Sequence, residues 1–322
     1  MVRLAAAVLV GSALAPFCAG CLPGDDRPVP ASVELAVEAN ATSSAGFVTD
    51  DDWHVDFTLL LAALGTVRLE GESCNAYNEA FYSRVFDFAQ PLDEPTKVAL
   101  VHGIGDCRLE FRLRAPQDDS IVEEGVAAAE VDAMRVEAYD AWVDEPRRVS
   151  VVVRGSATKD GRTVGFDWSF RKRYDIADCA APEGGGRSPS YLELQSDAVV
   201  ERTAEVEASA LFRVPAPLPP GHDEDQVLAE DPAAGVPTRF EMFANADTAS
   251  NGDGDGVVVL EELLFIDADT GETIPSVGEL GPADGGTPTP PPRRLADVLY
   301  DRMVPAIVRL DGSPCLAEVD DD

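Results

Sequence analysis

The sequence predicts a mainly β chain, an antiparallel β-sandwich of about eight strands with a small helical segment near its C-terminus. Apolar and polar residues alternate with period two through most of residues 32–213, turn residues separate these runs at regular spacing, and few stretches repeat at the helical period. Val33, Leu35 and Val37 alternate with Ser32, Glu34 and Ala36, and Val55, Phe57, Leu59 and Leu61 repeat the pattern. Such alternation places one face of a strand in a core and the other in water. The clearest case is Cys107 to Arg114, apolar at Leu109, Phe111 and Leu113 and charged at Arg108, Glu110, Arg112 and Arg114. His102-Gly103-Ile104-Gly105 reads as a glycine-rich loop between this strand and one at Val98 to Val101. Val149, Val151 and Val153 lead through Lys159-Asp160-Gly161-Arg162 into Val164, Phe166, Trp168 and Phe170, a hairpin with an Asp-Gly turn. Ala204, Val206, Ala208 and Ala210 predict one more long strand. Trp53, Trp142 and Trp168 are assigned to the core, where rings of that size bury the most area.

Residues 1–20 read as a signal peptide, with Arg3 as the positive start and Leu4 to Phe17 as an apolar run too short to span a bilayer. Cys18-Ala19-Gly20-Cys21 follows, and small residues before Cys21 resemble a bacterial lipobox, in which that cysteine is lipidated. Cleavage after Gly20 without a lipid is the alternative. No later apolar run is long enough to cross a membrane, so an acyl group on Cys21 is the expected membrane attachment. Residues 21–31 form a tether, 32–213 the β-sandwich domain, 214–236 a Pro-rich acidic linker and 237–322 a segment with its own chemistry.

Six cysteines minus Cys18 and Cys21 leave four, an even number that suits two disulfides in an oxidising compartment. Cys74 with Cys107 and Cys179 with Cys315 is the favoured pairing among three connectivities. Zinc is disfavoured because no CxxC pair remains after processing and His54, His102 and His222 are scattered. With 25 basic and 59 acidic residues the chain carries −34, which argues against nucleic acid and anionic membrane surfaces as partners.

The segment from Asn251 to Glu262 spaces oxygen donors in one frame. Asn251, Asp253 and Asp255 stand at its first, third and fifth positions, the Val257 carbonyl at the seventh and Glu262 at the twelfth, while Gly256 fills the sixth, where the chain needs positive φ. This spacing resembles an EF-hand calcium loop and implies Ca2+ as the bound ion. An acidic Gly-rich turn without metal is the competing reading. Leu260, Leu263, Leu264 and Phe265 suit an exiting helix, and Phe240, Phe243 and Ala244 a short entering one, although Asp247 stands where that helix usually places an apolar residue. A lone loop of this kind needs its packing partner from elsewhere in the chain. Farther on, Leu295, Val298, Leu299, Met303 and Ile307 suit a short amphipathic helix that Pro305 caps or kinks.

The lipobox, the loop and the strand region around Trp168 and Cys179 together resemble bacterial lipoproteins of unassigned function, with a strand-rich domain and one EF-hand-like loop near the carboxyl end. That resemblance implies an envelope location, lipid-anchored to the outer membrane or periplasmic, and calcium, with no activity attached. His102-Gly103 is similar to the oxyanion-hole turn of esterases, but the chain has no G-x-S-x-G elbow, HExxH, P-loop or dinucleotide fingerprint. The expectation is therefore a non-catalytic binding or scaffolding module whose partner is an envelope protein or polysaccharide. An envelope polysaccharide hydrolase and a calcium sensor are the alternatives.

Overall fold

The computed structural model describes residues 28–92, 94–140, 145–182, 185–214, 236–249, 252–274 and 292–320. The chain is mainly β. Its first strands are β1 (Ala31–Ala39), β2 (Phe47–Val48), β3 (His54–Glu70), β4 (Asn75–Ala76), β5 (Ala80–Asp87) and β6 (Thr96–Leu113). Then come β7 (Ile121–Val122), β8 (Ala138–Asp140), β9 (Glu145–Arg147), β10 (Val151–Lys159), β11 (Arg162–Phe170) and β12 (Arg173–Cys179). The last are β13 (Tyr191–Leu194), β14 (Val199–Val206), β15 (Val257–Val259), β16 (Val308–Leu310) and β17 (Ser313–Asp320). In β1 the alternation is as expected, with Ala31, Val33, Leu35 and Val37 buried and their neighbours half-buried.

Among the described residues fifteen strands join in one hydrogen-bonded sheet and β8 and β9 form a separate pair, which is not the two-sheet arrangement of a sandwich. The order β1-β14-β16-β17-β12-β6 closes on itself because β6 also pairs with β1, and these six strands form a barrel. From β6 the same sheet runs on through β3, β10 and β11 to β15. Strand length explains this departure from the expected sandwich. β6, at 18 residues, pairs with β1 through Thr96 to Gly103, with β12 through Phe111 to Leu113 and with β3 through Arg108 to Leu113. Both ends of this long strand thus close the ring, on β1 and on β12, and its C-terminal half also carries β3 and the open extension.

Residues on both sides of the expected 214–236 linker share one hydrophobic core, and β16 and β17 are barrel strands. Helix Glu241–Asp247 brings Phe240 and Phe243 against Phe212, and Phe243 against Trp168. A smaller cluster lies apart from the main core, where helix Ala128–Met134 sets Val131 and Met134 on Leu61, Val85 and Val152. Trp53 and Trp168 are buried as expected, and Trp142 lies outside the described residues.

Several local expectations are corrected or refined. His102 to Gly105 is not a loop but continuous β6, and it is glycine that allows β4 to lie alongside. Gly105 has φ +103, and a Cβ there would stand 2.0 Å from the Ser73 carbonyl oxygen. The strand predicted through Ala210 ends at Val206, and Ala208–Phe212 is a 3-10 turn that buries Leu211 and Phe212. Glu207 N–H donates to the Ile307 carbonyl at 2.7 Å and Ala208 N–H to Ser43 Oγ at 2.9 Å, so the backbone finds partners outside the ladder. The Asp-Gly hairpin joins β10 to β11, with positive φ at both Asp160 and Gly161. Leu295, Val298, Leu299, Met303 and Ile307 are all buried, in an α-turn that passes into a π-turn and then a 3-10 turn opening on Pro305.

Two disulfides join Cys74 to Cys107 and Cys179 to Cys315, the favoured pairing. They point to an oxidising, non-cytoplasmic location. Among the described residues no helix is long and apolar enough to cross a membrane.

Candidate metal centre

The acidic loop is set on a well-anchored helix. Asp51 caps helix Glu241–Asp247 by accepting from the N–H groups of Phe240 (3.0 Å) and Glu241 (2.9 Å), and Trp53 Nε1 donates to Glu241 Oε2 at 2.9 Å. Where the helix ends, the chain doubles back on it. Gly252 N–H donates to Ala249 O at 2.9 Å and Gly254 N–H to Asp247 O at 3.0 Å. A Cβ on Gly252 would stand 2.1 Å from the Asp247 carbonyl oxygen, so only glycine permits this approach. Gly256, with φ +88, makes the predicted sharp turn and donates its N–H to Asp247 Oδ1 at 3.1 Å. The loop then enters β15, which pairs in parallel with Gly165 to Asp167 of β11, and helix Leu260–Leu263 follows with Leu260 and Leu263 buried. β11 therefore supplies the packing partner that a lone loop requires.

Carboxylate oxygens of Asp247, Asp253 and Asp255 lie within 4.8 Å of one another. Asp247 is 4% exposed and sits at the C-terminal end of its helix, where the backbone dipole disfavours an anion. Its contact with Gly256 N–H offsets part of that, while Asp253 Oδ1 accepts from Asp255 N–H (3.1 Å) and Asp255 Oδ1 from Val257 N–H (2.8 Å). Three negative charges so close still repel. A divalent cation among them would turn that repulsion into attraction, and oxygen-only donors suit a hard ion such as Ca2+ or Mg2+.

Of the residues singled out in the sequence, Asp253 and Asp255 are brought together, and Asn251 lies outside the described residues. Val257 begins β15. Glu262, 6% exposed, turns its carboxylate to the loop backbone, accepting from Asp253 N–H and Val259 N–H at 3.1 Å each, so that it caps its own helix. Sequence reasoning missed Asp247 as a ligand candidate, because it lies eight residues before Asp255, outside the twelve-residue frame. The available signal was an acidic residue at an apolar position of the entering helix.

A cavity of about 340 Å³ beside the exiting helix is bordered by Asp140, Asp167 and Glu261. Asp140 accepts from the Tyr300 hydroxyl and Asp167 pairs with Arg154 at 3.1 Å, so these two carboxylates already serve protein partners. No family model, curated protein or solved structure matches the chain.

Proposed function

We propose that this is a calcium-binding, lipid-anchored protein of the cell envelope that acts as a non-catalytic binding or scaffolding module. The observation that carries the calcium reading is the convergence of Asp247, Asp253 and Asp255 on a glycine-built turn. Glu262 and the Val257 carbonyl are close in sequence and would complete an oxygen shell, and Asn251 would add a neutral donor. With few carboxylates and no side-chain oxygen at Val259, the site belongs to the weak class of extracellular modules, with Kd about 10⁻⁴ to 10⁻³ M. That range suits structural occupancy where calcium is plentiful.

Calorimetric titration of calcium into the chelator-treated protein tests this. At about ten times Kd, calcium should add about 1.4 kcal/mol to the unfolding free energy. Asp247→Asn and Asp253→Ala should each abolish that increment while leaving the calcium-free protein folded. Silence of the wild type up to several times the upper Kd bound would leave the loop an acidic turn. Loss in Asp253→Ala with full retention in Asp247→Asn would restore the twelve-residue frame without Asp247.

Support for the anchor comes from Cys18-Ala19-Gly20-Cys21, outside the described residues, and the disulfides fit the same compartment. Cys21→Ser should move the protein from the membrane to the aqueous fraction and abolish labelling by a palmitate analogue. Persistent labelling of that variant would refute the anchor.

A further inference from the structure

Six cations gather in one groove of a chain whose formal charge is −34. Arg114 just beyond β6, Arg147 ending β9 with Arg148 after it, and Arg171 and Lys172 between β11 and β12 with Arg173 opening β12 line an open groove of about 490 Å³. None of the six is an exposed surface side chain: Lys172 is buried and the others are half-buried.

Their counter-charges are unevenly shared. Arg147 pairs with Glu145, Arg148 lies 3.5 Å from Glu137, and Lys172 lies 2.6 Å from Asp301. Asp175, held by Arg112 at 2.7 Å, is 3.7 Å from Arg173. Arg114 and Arg171 form no ion pair among the described residues. Arg114 Nη1 donates to Thr66 Oγ1 at 2.8 Å, and Arg171 Nη1 donates to the carbonyls of Arg147 (2.7 Å) and Val136 (3.3 Å). A guanidinium carries five N–H donors, so both side chains keep donors beyond these contacts. Burial, and then the like charges of Arg112 and Arg173, hold Arg114 below the ordinary arginine range despite Asp119 and Asp175. Half-buried like charges raise one another's free energy, and a bound anion would lower it.

We propose that this groove binds a compact oxyanion of the phosphate class, gripped by Arg114 and Arg171. Planar guanidinium forks match phosphate oxygens two at a time. The groove has the size of a small-molecule site. The acidic remainder of the chain repels an extended polyanion, whose distant charges would lie beyond the groove, whereas a compact ligand meets mainly the local cations within a Debye length of about 8 Å. The chemistry therefore selects a phosphate ester or pyrophosphate over nucleic acid.

The test is titration of pyrophosphate into the full chain at low salt with chelator present, which keeps the acidic loop out of the result. Saturable binding is expected, with Kd below about 1 mM. Arg114→Gln and Arg171→Gln should each weaken it by about tenfold or more. Arg187→Gln, at an exposed arginine bordering a different cavity, should leave it unchanged. Melting temperature verifies the fold, and Arg148→Gln replaces either groove variant that does not fold. Vesicles carrying phosphatidate separate the sources of the phosphate: binding competed by pyrophosphate assigns a lipid headgroup, and pyrophosphate binding without vesicle binding assigns a soluble ester. No saturable binding up to about 10 mM would overturn the proposal. So would equal affinity in the groove variants, equal loss in Arg187→Gln, or binding of a DNA duplex without pyrophosphate.

Discussion

Trp168→Ala is expected to remove about 3–5 kcal/mol of stability, the range for emptying a buried aromatic site. Trp168 is fully buried, and its ring centroid lies 4.9 Å from Phe166, 5.4 Å from Phe243 and 5.8 Å from Phe212. These contacts tie β11 to the helix that ends in Asp247, so the cavity would open against the helix that leads into the acidic loop. Urea unfolding of the variant, with calcium and with chelator, should show both the lower midpoint and a weaker calcium increment. Trp168→Phe separates packing from polarity. The indole Nε1 is buried without a hydrogen-bond partner among the described residues, a feature that costs about 1–3 kcal/mol. Phenylalanine removes that penalty while keeping much of the ring, so it should cost far less than alanine. Equal losses from the two variants would show that ring volume does not hold this junction.

Cys179→Ser with Cys315→Ser is expected to cost about 5 kcal/mol, and Cys74→Ser with Cys107→Ser about 4 kcal/mol, in the chain-entropy account of cross-links. The difference follows from loop length, 136 residues against 33. The longer bridge also joins β12 to β17, two neighbours in the barrel ring, so its loss frees the strand at the chain's end. Urea midpoints under non-reducing conditions measure both. A larger loss from the shorter loop would mean that local clamping of Ser73 and Cys74 against Gly105 outweighs chain entropy.

The strands of this protein were legible locally. Period-two alternation in β1 and in the Cys107 to Leu113 half of β6 reports which face is buried, and Asp160-Gly161 reports a turn that needs positive φ at both residues. In β3 the expected alternation is corrected: Val55 and Phe57 face the main core, but a register shift opposite Arg154 and Gly155 turns Leu59 and Leu61 to the smaller cluster, and both faces are buried from Leu60 to Val67. Asp253 and Asp255 were legible because their spacing to the Gly256 turn is local as well. Where local signals mislead, long-range contact is the reason. Gly103 and Gly105 read as a loop, yet in β6 they make room for a segment from the seventies.

The β class, the even set of four cysteines, the burial of Trp53 and Trp168 and the carboxylates at 253 and 255 can be read from the amino-acid order alone, since each depends on residue type and near spacing. The closure of β6 on β1, the meeting of Asp247 with Asp253 and Asp255, and the groove shared by arginines from three separate segments arise instead from long-range packing. Alternation says that a face is buried without saying against what. Which distant segments meet is set by the free energy of packing the whole chain, and that is where the barrel and both candidate sites arise.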